Sequence, residues 1–324
     1  MDRTGLAVTT FLNALEVLLP VLFVLALGFW AGRSKQFNSE QVQGLNELVL
    51  NYAFPALLFV AIVRASRTTL FAELPFVLAL IVASLGLFLV VALLSVFVLR
   101  HTIGAAAIQS ISVTYSNASF AGIPILTPLF GPSSLFSIAI AALILNITIV
   151  PVTVTMLEYD RQRIAGGEKP ALATLIGRSV AGSFNKPYVL APLLAAILVL
   201  LDVRVPQEIQ SMLDLIGSTT SGVALFVAGI ILAAYRIKAT PEIFGNVSIK
   251  MIVQPVLMAL LVAGLSIANP VGREAILICT VSTAVMCPML AVRYKVYEAE
   301  AAATFLLTTL AMIVVVPIVI MLTR

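Results

Sequence analysis

The stretch "TYSNASFAGIPILTPLFG", residues 114–131, lies among long apolar runs but is poorly suited to one continuous transmembrane helix. Glycine and proline interrupt the backbone hydrogen-bond ladder, and inside a membrane the freed groups must be satisfied by protein or in a watered cavity. The stretch therefore predicts a helix that is broken near Gly122 and Pro124. Neutral donors and acceptors cluster just before the predicted break, at Ser116, Asn117 and Ser119.

The composition around this stretch indicates a membrane protein. Of 324 residues, 61% are hydrophobic and only 10% are charged, and the mean hydropathy is +1.11. Soluble domains carry about 25% charged residues, so lipid is the main solvent here. The apolar runs are long and continuous, which predicts an all-α polytopic protein and excludes the ten-residue alternation of a β-barrel. The two cysteines, eight residues apart in one predicted helix, are too distant for a disulfide.

Ten segments have the length and apolarity of transmembrane helices. The predicted spans are 11–31, 41–63, 74–98, 105–130, 134–157, 187–202, 207–234, 244–267, 273–292 and 299–322. The longest polar connection, 158–186, is predicted to be a cytoplasmic linker whose amphipathic stretch 171–182 forms an interfacial helix.

The Lys and Arg residues predict the orientation. If the N-terminus lies outside, the loops that face inside hold thirteen of them, Lys250 included, and the outer segments hold six. Because the inner side of a membrane protein carries the excess of positive charge, both termini are expected on the outer, periplasmic side. The short clusters are typical of orientation determinants, and no nucleic-acid partner is expected.

The two halves of the chain resemble each other. The tetrapeptide "LFVA" occurs at 58–61 and again at 225–228, and "ITIVPV" at 147–152 corresponds to "IVVVPI" at 313–318. Because each repeat would have an odd number of helices, five, the second copy would enter the membrane from the opposite side, as in many secondary transporters. We therefore predict a first repeat over 1–157 and an inverted second repeat over 187–324.

A second interrupted span pairs with the first. Residues 279–294, "CTVSTAVMCPMLAVRY", contain Ser282, Thr283 and Pro288, and Pro288 corresponds to Pro124. A half-helix that begins at a break presents free backbone N–H groups and the positive end of its dipole. Such a site suits a carboxylate without a buried Lys or Arg. The alternative is that these Gly, Pro and Ser residues only serve close helix packing.

These motifs resemble the auxin efflux carrier family, whose bacterial members include malonate and malate carriers. The resemblance rests on "LNELVLNYAFPALLF", "SNASFAGIPIL", "LEYDR" and "CPMLAVRY" and covers nearly the whole chain. Asn117, Gly122, Ile123 and Pro124 match the plant auxin carriers, where a proline stands in place of Ser116. In the second interrupted span Thr283 and Ala284 replace the Pro-Gln of the family, and Pro288 is retained.

The resemblance implies a ten-helix fold of the bile-acid-transporter kind. Spans 1, 2, 6 and 7 would form a scaffold, often dimeric in the family, and spans 3–5 and 8–10 a transport domain. It implies alternating access of a small carboxylate at the crossing of the two broken helices in a bacterial inner membrane. The expected substrate-binding residues are Asn117, Ser116, Ser119, Gly122, Pro124, Thr283, Ala284 and Pro288. Malonate or a similar dicarboxylate is the first expectation for the substrate, and an auxin-like aromatic monocarboxylate is the second.

The sequence also bears on alternative functions and on the ion that could be coupled to transport. A channel or receptor on the same fold is the less favoured alternative, and the single histidine and the lack of hydrolase motifs argue against an enzyme. No cofactor or bound metal is expected. Coupling to H⁺ or Na⁺ is left open, with polar residues in the spans as candidates: Glu47, Asp214, Asn46, Asn146 and Gln254. Interfacial placement is the alternative for the two acids, and bridging between helices for the three amides.

Overall fold

The expected all-helical fold is confirmed. The computed structural model describes residues 3–164, 172–234 and 240–323. Over these residues the helices of the first half are α1 (Arg3–Arg33), α2 (Ser39–Val63), α3 (Arg67–Phe97), α4 (Ile103–Thr114), α5 (Ala118–Phe130) and α6 (Ser134–Ile164). The later helices are α7 (Leu172–Phe184), α8 (Pro187–Leu200), α9 (Gln207–Ala234), α10 (Pro241–Gly264), α11 (Val271–Thr280), α12 (Met286–Tyr294) and α13 (Glu298–Leu322).

The chain is a multi-span membrane protein. Seven of the described helices are long and apolar enough to cross a membrane, and an eighth span results if α7 and α8, bent by 71° against each other, are counted together. The four helices α4, α5, α11 and α12 are each too short to cross alone, because a span needs about 20 residues. The ten spans, the inverted repeat and the interfacial helix at 171–182 stay predictions. Part of that linker, residues 165–171, lies outside the described residues.

The surface of the helices is apolar where lipid is expected. Large side chains are more than half exposed on several elements: Phe23 and Trp30 of α1, Leu93 and Phe97 of α3, and Leu260 of α10. Water would disfavour so many exposed apolar side chains, whereas hydrocarbon solvates them. Beneath them, one large apolar core joins residues of nearly every span, including Leu18, Leu58, Phe76, Ile125 and Met312.

Four helices contain a π-helical turn. These turns span Val49–Ala53, Val82–Gly86, Ala118–Gly122 and Ile249–Val253. A π-helical turn inserts one extra residue and thereby rotates the following side chains around the helix, and such turns occur frequently at functional sites. One of them lies at the start of α5, and another carries Lys250 in the middle of α10.

Glycines allow α1 and α9 to pack in backbone contact. A Cβ atom on Gly229 of α9 would lie 2.3 Å from the carbonyl oxygen of Leu25, and one on Gly28 of α1 would lie 2.1 Å from that of Phe226. Both distances are shorter than any van der Waals contact, so only glycine fits. Small residues at helix interfaces give membrane helices the close contact that replaces the hydrophobic effect.

We expect Gly229→Ala to destabilise the protein, because the added methyl group must push α1 away from α9. Overpacking of this kind costs about 1–3 kcal/mol. The matched control is Gly222→Ala in the same helix, where a Cβ atom meets nothing within 4 Å. Thermal unfolding of the detergent-solubilised variants measures the difference. Equal melting temperatures for the two variants would contradict the close contact of α1 and α9.

Candidate functional site

The two interrupted spans meet at their breaks. The chain leaves α4 at Thr114 and α11 at Thr280, and the two extended segments then run antiparallel past each other, with Ser116 paired to Thr283. The amide of Asn117 donates to the carbonyl of Ser282 at 2.8 Å, and the amide of Ala284 donates to the carbonyl of Tyr115 at 3.0 Å. Each break therefore satisfies backbone groups of the other.

The break of the first span is not at the predicted position. It lies at residues 115–117, whereas Gly122 and Pro124 lie inside the helical segment that follows. Pro288 likewise lies within α12, after a break at 281–285. Pro288 is the third residue of α12, where the missing N–H of a proline costs nothing. Pro124 is the seventh residue of α5 and comes after its π-helical turn, so both prolines follow the breaks and do not create them.

A pocket of about 390 Å³, its open mouth included, lies at this crossing. Its polar lining comes from Tyr115, Ser116, Asn117, Ser119, Asn146 and Tyr188, and the rest of its wall from Leu50, Phe54, Phe120, Ala284 and Met286. The amides of residues 118–120, at the start of α5, make no backbone hydrogen bond in the described chain. The start of a helix with free amides attracts anions.

A buried lysine lies directly behind the pocket. Lys250 is completely buried, and its Nζ donates to Ser116 Oγ at 2.8 Å, to Gln254 Oε1 at 2.7 Å and to the carbonyl of Cys279 at 2.9 Å. Gln254 Nε2 in turn donates to the carbonyl of Thr114 at 2.7 Å. The carboxyl-terminal ends of both α4 and α11 thus face this pair, and their partial negative charge favours the ammonium.

This lysine corrects two predictions. Lys250 was counted among the inner loop residues, although it falls within the predicted span 244–267, and the structure buries it inside that span. The number of Lys and Arg residues in the inner segments therefore falls from thirteen to twelve, against six in the outer segments. No buried cation was predicted for this region from the sequence either, whereas Lys250 is one. A sequence signal was present: Glu242, Asn246, Lys250 and Gln254 follow one another every four residues, which places them on one face of an otherwise apolar helix.

The structure brings most of the predicted binding residues to the crossing. Thr283 is completely buried, its hydroxyl donates to the carbonyl of Ser112 at 2.6 Å, and its amide donates to Thr308 Oγ1 at 3.1 Å. Thr283 therefore fastens the crossing and does not line the pocket. Ala284 contributes to the wall. Gly122, Pro124 and Pro288 do not reach the pocket lining.

The predicted coupling residues lie in three places. Gln254 and Asn146 belong to the crossing, whereas Asn46 contacts Met289 of α12 through a 3.8 Å N–H···S hydrogen bond and does not line the pocket. Glu47 and Asp214 lie away from it. Glu47 is exposed and accepts a hydrogen bond from Gln43, and Asp214 forms an exposed ion pair with Arg64.

A chain of polar side chains leads from this region to one end of the bundle. Gln109 Nε2 donates to Asn246 Oδ1 at 2.9 Å, Asn246 Nδ2 donates to the Tyr297 hydroxyl at 3.1 Å, and Tyr297 donates to Glu242. His101 Nε2 lies 3.7 Å from Glu242. We call these residues, with Ser112 and Lys250, the polar seam. Burial and the bond to Glu242 raise the pKa of Tyr297, so its phenol keeps the proton.

Comparison with known proteins agrees with the resemblance found in the sequence. The model of a family described as membrane transport protein matches residues 13–320. The transporter YfdV of Escherichia coli K12 is 31% identical over 306 residues, which cover 93% of this chain and 95% of that protein. A Rhizobium meliloti protein named "Putative malonate transporter" is 26% identical over 91% of both chains. The lysosomal cholesterol signaling protein of Mus musculus is 25% identical over 71% of this chain and 26% of its own length.

We expect Thr283→Val to destabilise the crossing. The carbonyl of Ser112 has lost its helical partner because α4 ends two residues later, and the Thr283 hydroxyl is the donor that satisfies it. Leaving such a buried carbonyl unpaired costs about 1–3 kcal/mol. Thr309→Val is the control, since the Thr309 hydroxyl only adds a second bond to a carbonyl of its own helix. If thermal unfolding in detergent shows equal losses, Thr283 does not hold the two breaks together.

Proposed function

The chain belongs to the membrane transport protein family, and from this premise we propose that it is a secondary transporter of a small organic carboxylate. The substrate binds in the pocket at the helix crossing, which opens to each side of the membrane in turn. The observation that carries the proposal is the fully buried Lys250 ammonium behind Ser116, with no acidic partner among the ion pairs of the described chain.

An anion would complete this site electrostatically. A buried charge is costly unless another charge compensates it, and Lys250 is stabilised only by the hydrogen bonds that it donates and by the dipoles of two helix ends. A carboxylate in the pocket would face the Ser116 hydroxyl, the Asn117 side chain and the free amides at the start of α5. Neutral donors orient the carboxylate, and Lys250 supplies the opposite charge from behind.

Malonate or a similar dicarboxylate is the first candidate substrate, supported by the name of the Rhizobium meliloti relative. An aromatic monocarboxylate is the second candidate, supported by the pocket wall. Phe54 lies edge-on to Phe120, with ring centroids 5.4 Å apart, and is stacked on Tyr188 at 6.2 Å. A planar aromatic ligand would extend such a cluster favourably.

Alternating access would use two inverted repeats of five spans. The pairing of Ser116 with Thr283 joins positions 167 residues apart, and the π-helical turns at Val82–Gly86 and Ile249–Val253 show the same offset. The close pair α1 and α9, together with α2 and α8, supports a scaffold of spans 1, 2, 6 and 7, against which spans 3–5 and 8–10 would move. A homodimer through this scaffold stays a prediction.

The proposed orientation keeps both termini outside. Twelve Lys and Arg residues remain in the inner segments after the correction for Lys250, against six in the outer segments, and this excess still favours the orientation by the positive-inside rule. The end of the bundle that carries His101, Glu242 and Tyr297 then faces the cytoplasm of a bacterial inner membrane.

The proposed function is tested by exchange of labelled carboxylates in proteoliposomes, with a panel of mono- and dicarboxylates on both sides. We expect Asn117→Ala to lower the malonate exchange rate about 10- to 100-fold, because a hydrogen bond to a charged group contributes about 1.5–3 kcal/mol. Asn51→Ala, at an exposed position of α2 that does not line the pocket, is the matched control. Wild-type exchange by the Asn117 variant would remove Asn117 from the site.

We expect Lys250→Met to weaken carboxylate binding at least about tenfold, because methionine keeps the apolar stem of lysine but removes the charge. Lys186→Met, at the exposed start of α8, is the control. Binding is measured as the shift in melting temperature with increasing malonate, and the melting temperature without malonate checks that the variant folds. A folded Lys250 variant with an unchanged malonate affinity would contradict the counter-charge role.

A further inference from the structure

We propose that Lys250 is the proton-exchanging group of the transport cycle and that the polar seam is its route to the membrane surface. Lys250 would take up a proton through the pocket when it is open to the outside and would release it through the seam to the inside, so that one proton moves inward together with each carboxylate. This inference rests on the proposed function, since it names the coupling ion of the same site. Three features carry it: the contacts of Lys250, the hydrogen-bonded chain that begins at Asn246, one helical turn from Lys250, and reaches Glu242, and the unpaired polar atoms of Gln109 and Ser112.

The contacts of Lys250 suit both the charged and the neutral side chain. The ammonium has three N–H groups, which match the three acceptors Ser116 Oγ, Gln254 Oε1 and the carbonyl of Cys279. After loss of a proton, two N–H groups still serve the amide and carbonyl oxygens, and the nitrogen lone pair accepts the Ser116 hydroxyl proton. Only the direction of one hydrogen bond changes, so neither state leaves a buried group unpaired.

Substrate binding would determine whether the Lys250 side chain is charged or neutral. A carboxylate in the pocket compensates the ammonium, whereas an empty pocket leaves a cation that is completely buried in protein. A buried charge without a partner is destabilised and tends to neutralise by releasing its proton. Departure of the carboxylate therefore favours the step in which Lys250 becomes the neutral amine and its proton passes into the seam.

The seam extends from Lys250 to the end of the bundle. Lys250, Asn246 and Glu242 lie one helical turn apart on one face of α10, and Gln109 and Ser112 lie on the facing α4. Gln109 Oε1 and the Ser112 hydroxyl are buried and have no hydrogen-bond partner among the residues that the structure describes. Buried polar atoms of this kind bind internal water, which would carry the proton past the amides to Tyr297 and Glu242.

The surroundings of Lys250 offer few other routes. Two completely buried thiols lie on neighbouring elements: Cys279 in α11, whose carbonyl accepts a hydrogen bond from Lys250, and Cys287 in α12. Two buried acids lie on neighbouring elements: Glu274 of α11, which accepts a hydrogen bond from Ser137, and Glu73 of α3. Neither forms an ion pair with Lys250, and α4 and the part of α10 beyond Lys250 contain no ionisable side chain. The acids of α13, Glu298 and Glu300, lie in its first turn, at the end of the bundle that the seam reaches.

The chain supplies a matched control for the part of the seam that lies at the end of the bundle. Tyr294 donates to Glu158 at 2.8 Å, three residues before Tyr297 donates to Glu242. Both are Tyr–Glu pairs, but only the second is bonded to Asn246. Glu242→Gln and Tyr297→Phe are therefore compared with Glu158→Gln and Tyr294→Phe.

The test uses proteoliposomes that contain the full chain and a trapped pH-sensitive dye. Net uptake of ¹⁴C-malonate into wild-type vesicles is expected to acidify the lumen and to be accelerated by an inward proton gradient. In Glu242→Gln and Tyr297→Phe, gradient-driven uptake is expected to fall about tenfold, while malonate exchange continues, because in exchange the carrier returns loaded and Lys250 need not release its proton. The two control variants are expected to behave as wild type.

Several outcomes overturn the inference. Malonate exchange without any proton movement during net uptake would leave the proposed function standing and remove proton coupling. An equal loss of gradient-driven uptake in the seam and control variants would refute the seam as the route. Absence of exchange for every carboxylate of the panel would refute the proposed function itself. Because two seam variants are tested, with thermal unfolding to check each, one unstable variant does not prevent the decision.

Discussion

The structure depends on the mutual pairing of two backbone breaks inside the membrane. In hydrocarbon an unpaired N–H or C=O group costs several kcal/mol, so a single broken helix could not persist there alone. The segments at Ser116 and Thr283 satisfy each other by two backbone hydrogen bonds, and the Thr283 hydroxyl and Gln254 amide satisfy the carbonyl ends of α4. The pocket exists because this pairing ends two helices and starts two others at one place.

The same pairing explains how a lysine can be fully buried. The two helices that end at the crossing present carbonyl groups and the negative ends of their dipoles, which together form a region that favours a cation. The π-helical turn Ile249–Val253 places Lys250 in that region, within reach of Cys279 and Ser116. Fixed dipoles thus offset part of the desolvation of the ammonium, and the position beside the pocket lets the charge of a ligand compensate the rest.

Much of this arrangement could be predicted from the sequence. Apolar runs indicated the helical membrane fold, and Ser116, Asn117 and Thr283 were recognised as members of one crossing. The exact break was misplaced by several residues, because proline and glycine mark where a helix can begin after an interruption and do not mark the interruption itself. Lys250 was missed because a lysine at the end of an apolar run is usually a loop residue. Its four-residue spacing with Glu242, Asn246 and Gln254 was the signal, yet only packing against α4 and α11 shows what that face contacts.

The two halves of the chain differ at Lys250, the residue on which the proposed chemistry depends. The 167-residue offset that relates Ser116 to Thr283 also relates Lys250 to Ala83, which is completely buried in the corresponding π-helical turn of α3. The two breaks and these two π-helical turns occur at the same offset in the two halves of the chain. Only one of these two π-helical turns carries a lysine, so Lys250 and the polar seam lie on one side of the crossing, behind Ser116. A symmetrical pair of lysines would place two like charges in one low-dielectric region, and their repulsion would greatly exceed what helix dipoles can offset.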